Sequence, residues 1–179
     1  MARGFEVVSK YKGQEIELPY RTTKNAAGYD FESAVNMVLP SIWKHDFLKI
    51  LWAIRHRKNL GEKNLDRARG ILKPYLIPTG IKAYMNPNEV LIMANRSSNP
   101  LKKSLILPNG IGVIDADYYN NDGNEGEIFV QMINVGLTDV HISKGERIGQ
   151  GIFMPYLLAD QADSQKQSMR HGGFGSTDK

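Results

Sequence analysis

No cysteine occurs among the 179 residues of this chain, which removes a disulfide framework, a thiol nucleophile and a thiolate zinc site together. Histidine is sparse as well. His45, His56, His141 and His171 are scattered, none at ligand spacing from a carboxylate-bearing motif, so a histidine-rich metal site is not expected. The chain lacks any run of eighteen apolar residues, and Met1 to Glu6 lacks the apolar stretch of a signal peptide. These absences lead us to expect a cytoplasmic protein with no membrane partner.

What is present is ordinary in amount and uneven in placement. With 41% apolar and 23% charged residues, the length suits one domain with a sizeable core, or a domain plus an insert. The net charge of +4 is local: residues 41–74 hold nine Lys/Arg against three acids, a net +6, which leaves −2 for the remainder. The basicity therefore belongs to one segment and not to the fold.

Outside that segment the chain reads as many short strands. Val90 to Ala94, Ile111 to Ile114, Glu127 to Ile133 and Gly151 to Met154 are β-branched and aromatic runs. Turn signals at Asn86-Pro87-Asn88, Pro108-Asn109-Gly110 and Lys144-Gly145-Glu146 separate them, a pattern that favours an all-β antiparallel sandwich or barrel. Residues 41–74 break the rhythm. Trp43, Phe47, Ile50, Leu51 and Ile54 recur at helical spacing, Ser41 stands where an N-cap would, Asn59-Leu60-Gly61 supplies a stop, and Leu65, Ala68, Ile71 and Leu72 continue the period. The expectation is a basic αα-hairpin inserted between strands, its apolar stripe packed inward and its charged face either solvated or open to a nucleic-acid or protein partner.

Five stretches carry more functional side chains than a fold requires. Asp30 follows Gly28 in Ala27-Gly28-Tyr29-Asp30-Phe31; turn chemistry alone would account for it. Arg96, Ser97 and Ser98 cluster after an apolar strand, suiting an anion, although the serines also suit a cap for the next turn. In Asn109-Gly110-Ile111-Gly112-Val113-Ile114-Asp115-Ala116-Asp117-Tyr118, strand spacing would put both aspartates on one face and the tyrosine on the other. Such a carboxylate can take a proton from water, and such a ring can floor a small cavity. Gly145 to Gln150 offers a turn, an ion pair and an amide. The tail from Arg170 through Phe174 to Ser176 and Thr177 combines a guanidinium, a ring and hydroxyls on a glycine-loosened backbone. It reads as a lid for a phosphorylated, ring-bearing ligand, or simply as a loose terminus.

Taken in order, these stretches resemble the five motifs of the homotrimeric dUTP diphosphatases, or dUTPases, across nearly the whole chain apart from the insert. Ile77-Pro78-Thr79-Gly80-Ile81-Lys82 and Arg96-Ser97-Ser98-Asn99-Pro100 look most like enzymes of Gram-positive bacteria and their phages. The resemblance implies a distorted β jelly-roll barrel over residues 1–167, interrupted by the 41–74 insert, with a flexible arm at 168–179 that closes a neighbour's active site in a homotrimer. It implies hydrolysis of dUTP to dUMP and diphosphate by Mg²⁺-assisted in-line attack of water on the α-phosphorus, which lowers dUTP and supplies dUMP for dTMP synthesis. Asp115 is similar to the family's catalytic aspartate, and Tyr118 to the tyrosine beneath deoxyribose that leaves no room for a 2′-hydroxyl. Asn109 begins the hairpin that reads uracil. Arg96, Ser97, Ser98 and Gln150 match phosphate-contacting positions, and Asp30 the acid that reaches the metal through water. Arg170, Ser176 and Thr177 match tail groups on the γ-phosphate, and Phe174 the ring that covers the base.

Three features depart from the family pattern. The tail has one residue fewer than is common between Arg170 and Phe174. Residues Tyr119 to Glu125 lengthen a turn near the sugar, and 41–74 stands where a short turn is usual. Two alternatives follow. A dCTP deaminase shares the fold and the serine motif but uses a glutamate where this chain has Gln131, and an amide cannot act as that base. A dUTPase scaffold with an added regulatory role would use the insert to bind protein or nucleic acid.

Overall fold

The computed structural model describes residues 3–56 and 73–160. Within them the strands are β1 (Gly4–Val7), β2 (Tyr29–Glu32), β3 (Met37–Leu39), β4 (Tyr75–Pro78), β5 (Ile81–Tyr84), β6 (Glu89–Ala94), β7 (Leu105–Ile106), β8 (Ile111–Asp115), β9 (Phe129–Asn134), β10 (Val140–Ile142) and β11 (Arg147–Pro155). Each of the four strand-forming stretches read from the sequence supplies one of them. All the ladders are antiparallel, and the largest sheet runs β2-β11-β6-β8; β4-β9-β7, β1-β5 and β3-β10 complete the β architecture.

Alternation decides which side chains enter the core. Along β6, Glu89, Leu91 and Met93 are buried while Val90, Ile92 and Ala94 are only partly so, the period of two that a half-covered strand shows. Phe31, Leu39, Ile77, Leu91, Ile128 and Met132 are fully buried together. The Phe5 ring lies 5.2 to 5.3 Å from those of Tyr29, Phe31 and Phe153, at separations where aromatic edges and faces attract. Gly151 sits where this packing leaves no space: a Cβ there would lie 2.7 Å from Phe31 Cε2 and 2.9 Å from Leu91 Cδ1.

Two helices are described. Helix α1 (His45–Arg55) begins later than expected, with Lys44 and not Ser41 at its N-cap. Ser41 is held elsewhere: its hydroxyl donates to Gly136 O at 2.5 Å, and its N–H donates to Asp139 Oδ1 at 2.9 Å. Asp139 also pairs with Lys44 Nζ at 2.6 Å, and Trp43 Nε1 donates to Val135 O at 2.9 Å, so residues 41–44 belong to the barrel and the chain leaves it after them. The second helix expected beyond Asn59 lies outside the described residues. Helix α2 (Ser98–Lys103) follows β6. Among the described residues, no helix is long and apolar enough to cross a membrane.

The long turn after Tyr118 is stapled to the body of the fold. Lys82, only 6% exposed, donates to Asn120 Oδ1 at 2.6 Å and pairs with Glu125 Oε1 at 2.7 Å. Burial pulls this ammonium down, yet the bond and charge of Glu125 outweigh it and hold its pKa above the ordinary lysine value. Glu125 also accepts from Ser9 N at 2.9 Å. Lys82 and Ser9 together hold its carboxyl down, at about 2.

A carboxyl depressed in the folded state adds stability that is whole above the ordinary glutamate value and is lost as pH falls through the folded value. Glu89, held at about 2 by its hydrogen bonds with Arg3, acts in the same direction. Thermal unfolding is therefore expected to shift to lower temperature between about pH 5 and pH 2. Glu125→Gln should lower the melting temperature at neutral pH and flatten that acid limb; identical limbs in the two proteins would rule out this staple as a contributor.

Candidate functional site

The register of the large sheet sets a row of side chains across it. Asp30 on β2 lies opposite Gln150 on β11, Gln150 opposite Ala94 on β6, and Ala94 opposite Ile111 on β8. Gln150 Nε2 donates to Asn95 O at 3.1 Å, and its Oε1 comes so near Gly28 that a Cβ there would lie 2.8 Å away. That close approach explains the glycine better than turn chemistry does.

Asp30 is the hub of a charged platform at one end of this row. Its Oδ1 accepts from Arg96 Nε at 3.0 Å; its Oδ2 accepts from Thr22 Oγ1 at 2.6 Å and from Arg147 Nη1 at 3.3 Å. Arg96 also reaches Arg147 O at 3.4 Å. Two guanidinium groups thus share one carboxylate, and the balance among the three is a single positive charge. The loop that presents Arg96 is fixed from below by Asn99, whose buried Nδ2 donates to Asn95 Oδ1 and to Ile148 O, both at 2.8 Å. Ser97 is exposed and occupies the N-cap position of α2, but no side-chain hydrogen bond caps the helix there. The capping role considered for the serines is therefore not what Ser97 does. Arg96, Ser97 and Ser98 together make a donor surface suited to an anion.

Asn109, Tyr118 and Gln131 meet elsewhere. They line a cavity of ≈170 Å³ with Met93, Leu107 and Gly112 among its other walls. A Cβ at Gly112 would come 3.1 Å from Met93 Cβ, so the cavity floor depends on that glycine. Asn109 lies in a tight turn in which Gly110 N–H donates to Leu107 O at 3.0 Å. The flanking strands do not pair with each other, β7 joining β9 and β8 joining β6; the expected hairpin is a turn between two sheets. Asp115 ends β8 and borders a second, larger cavity of ≈570 Å³ with Asn86, Asp117 and Tyr156.

The structure changes two readings of the functional stretches. Asp115 and Asp117 do not share a strand face, because Ala116–Tyr118 forms a 3-10 turn in place of continued strand. That turn brings Tyr118 inward, where its hydroxyl donates to Glu127 O at 3.0 Å. The ion pair expected within Gly145 to Gln150 is absent as such: Glu146 pairs with Lys103, and Arg147 with Asp30. Arg147 and Thr22 are platform residues that sequence reasoning missed. Their partner Asp30 lies 117 and 8 positions away, and only the pairing of β11 with β2 brings Arg147 there. Arg170, Phe174, Ser176 and Thr177 lie outside the described residues.

Comparison with known proteins places these features in a family. The family model for dUTPase matches residues 68–178. The deoxyuridine 5'-triphosphate nucleotidohydrolase of Lactococcus lactis subsp. lactis (strain IL1403) is 47% identical over 175 residues, covering 98% of this chain and 97% of its own. The crystal structure of dUTPase from Streptococcus mutans superposes with a TM-score of 0.68 at 41% identity, over 88% of this chain and 98% of that one. The dUTPase from phage phi11 of S. aureus, in which a species-specific insert was visualised, has a TM-score of 0.61 at 16% identity, over 93% of this chain and 98% of its own; this likeness is one of fold.

Removing Asp30 would leave two guanidinium groups side by side without their shared counter-charge. Asp30→Ala is expected to destabilise the fold by about 2 kcal/mol, as for a partly buried charged hydrogen-bond acceptor. Denaturant unfolding at fixed protein concentration checks this, and a change within about 0.5 kcal/mol would mark the network as energetically idle.

Proposed function

The chain belongs to the dUTPase family and is a dUTP nucleotidohydrolase, and from that premise we propose how its residues divide the reaction. Deoxyuridine enters the cavity bounded by Asn109 and Tyr118, with backbone groups of the Asn109 turn reading the uracil edge and the Tyr118 ring closing the sugar side. Arg96, Ser97, Ser98 and Gln150 hold the phosphates. Asp115 takes a proton from the water whose oxygen bonds to the α-phosphorus, as the bond from that phosphorus to the bridging oxygen of the diphosphate breaks. The observation that carries this reading is that one short segment puts Asn109 and Tyr118 on the wall of the ≈170 Å³ cavity and Asp115, three residues before that tyrosine, on the wall of the larger one.

None of Asp30, Arg96, Ser97, Ser98 and Gln150 lines that cavity. The separation of nucleoside and phosphate subsites supports a homotrimer in which each complete site draws on more than one copy. Ile111 and Val113, 50% and 54% exposed on the edge strand β8, are apolar surface that such an assembly would cover. The arm at 168–179 then closes a neighbour's site, Arg170, Ser176 and Thr177 on the γ-phosphate and Phe174 over the base. The cytoplasm, where nucleoside triphosphates reside, is the compartment this activity requires.

Mg²⁺ fits the residues only in a limited way. Among the described residues no group of three or more His, Asp or Glu is placed to hold a metal, and both oxygens of Asp30 already accept from guanidinium and hydroxyl groups. A hard cation that keeps several waters and takes phosphate oxygens needs little else. Asp30 would meet its waters at most, and the ion when bound would neutralise phosphate charge. Gln131 on the cavity wall supplies an amide where deamination needs a base, which counts against a dCTP deaminase.

The insert has a proposed role of its own. Leu48, Trp52 and Ile54 on α1 are 54%, 53% and 58% exposed, which favours a protein partner over a nucleic acid.

Asp115→Asn should reduce turnover by ~10²–10⁴-fold while the assembly and fold persist. A panel of dUTP, UTP, dTTP and dCTP, each with and without Mg²⁺, should show hydrolysis of dUTP alone, promoted by the metal. Near-normal turnover in the asparagine variant would remove Asp115 from its role, and indifferent cleavage of dUTP and UTP would remove Tyr118 from its own. Replacing residues 45–72 by a short linker spares the anchored residues 41–44; preserved turnover with lost partner binding is the expected outcome, and retained binding would sink the role proposed for the insert.

A further inference from the structure

Residues 119–125, the turn that is longer than the family pattern, are built around the hydroxyl of Tyr118. This side chain is only 5% exposed. Its phenol donates to Glu127 O at 3.0 Å and accepts from Asn124 Nδ2 at 2.7 Å. The same Nδ2 donates to Glu127 O at 3.1 Å, while Asn124 Oδ1 accepts from Asn121 Nδ2 at 2.9 Å and from Gly126 N at 3.2 Å. Asn121 Nδ2 in turn donates to Tyr118 O at 2.8 Å. The tyrosine is thus gripped at both ends, at its backbone carbonyl by Asn121 and at its phenol by Asn124 and the Glu127 carbonyl, which Asn124 itself also binds.

The grip is rigid. Asn120 and Glu125 adopt positive φ of 55° and 60°, a conformation that asparagine takes readily but glutamate takes only when its surroundings fix it. Lys82 binds both of them. At Gly126, with φ of 81°, a Cβ would lie 2.7 Å from Tyr118 O, so the turn closes directly onto the tyrosine backbone.

We propose that Asn124 is a specificity-determining positioning residue: by hydrogen bonding to the Tyr118 phenol it fixes the ring that walls the nucleoside cavity, and so sets the preference for dUTP over UTP. The inference rests on the reading that places Tyr118 against deoxyribose. A ring pivots about its Cα–Cβ and Cβ–Cγ bonds, and the phenol oxygen lies at the far end of that lever. Held there, the ring cannot retreat; released, it can move by the fraction of an ångström that a 2′-oxygen needs, because a wall excludes an atom only if it does not yield. The asparagine touches neither substrate nor water in this scheme. Its effect passes entirely through the tyrosine.

The experiment is a double-mutant cycle read as the ratio of kcat/KM for dUTP and UTP. Asn124→Leu removes the donor while keeping the γ-branched shape, and Tyr118→Phe removes its partner while keeping the ring. Each is expected to lower the ratio about tenfold, the worth of one buried hydrogen bond, chiefly by raising kcat/KM for UTP. Tyr118→Phe also loses the bond to Glu127 O, and Asn124→Leu those to Asn121, Gly126 and Glu127, so the double variant should lose less than the sum of the two, the shortfall reporting the bond they share, and strict additivity would overturn the proposal. Tyr118→Ala separates the two layers of argument. If it collapses the ratio while Asn124→Leu leaves it unchanged, the positioning role is wrong and the sugar-wall reading stands; if it leaves the ratio unchanged, both fall. A lower melting temperature in Asn124→Leu with an unaltered ratio would make the asparagine merely structural and overturn the proposal. Should that variant not fold, Tyr118→Phe tests the same bond from the other side, and an unaltered ratio there is equally fatal.

Discussion

Strand β11 is hydrogen-bonded along both edges, to β2 on one side and β6 on the other, and most of what surrounds the charged platform of Asp30 depends on that double pairing. It fixes Gln150 between Asp30 and Ala94, delivers Arg147 to Asp30, and offers Ile148 O to Asn99. A central strand of this kind has no solvent-facing edge to relax into, so its side chains are placed by backbone geometry and not by their own flexibility. The strand needs small residues where it crosses the aromatic cluster. Gly151, packed against Phe31 and Leu91, meets that need.

The cavity walled by Asn109 and Tyr118 is fixed by a different device. Strand β8 is an edge, and after Asp115 it gives way to a 3-10 turn, so nothing like a ladder holds Tyr118. Side-chain amides take over. Asn121 and Asn124 supply hydrogen bonds that a strand would have taken from a neighbour, and the buried Lys82 ties their turn to β5 through Glu125 and Asn120, while Ser9 ties Glu125 to the N-terminal segment. Burying a lysine is unfavourable alone. Here two carboxylates, Glu125 at 2.7 Å and Glu6 at 3.6 Å, offset it.

How much of this was legible in the sequence follows from the range of the interactions. Strands such as Glu89–Ala94 and Ile111–Asp115 were visible because β-branched runs and turn residues act locally, and the family was visible because five short stretches stand in one order along the chain. The misreadings share another cause. Ser41 looked like a cap, but Gly136 and Asp139, far along the chain, claim its polar groups. Asp115 and Asp117 looked alike by spacing, but the pull of Glu127 and Asn124 on Tyr118 ends the strand between them. Arg147 looked like the partner of its neighbour Glu146, and pairing of β11 with β2 gave it Asp30 instead. Where a contact spans most of the chain, composition and spacing hold no trace of it.

The charge on the platform explains why the proposed site needs help from outside it. Arg96 and Arg147 are both engaged by Asp30, so the trio offers one net positive charge to a triphosphate that carries several negative ones. Releasing more positive charge by dispensing with Asp30 would not improve matters, since two guanidinium groups at this spacing repel and neither would keep its direction. The carboxylate therefore trades strength of attraction for fixed geometry, and aimed donors serve reaction better than an unaimed field. On the proposed reading, the remaining anionic charge falls to Mg²⁺ and to Arg170.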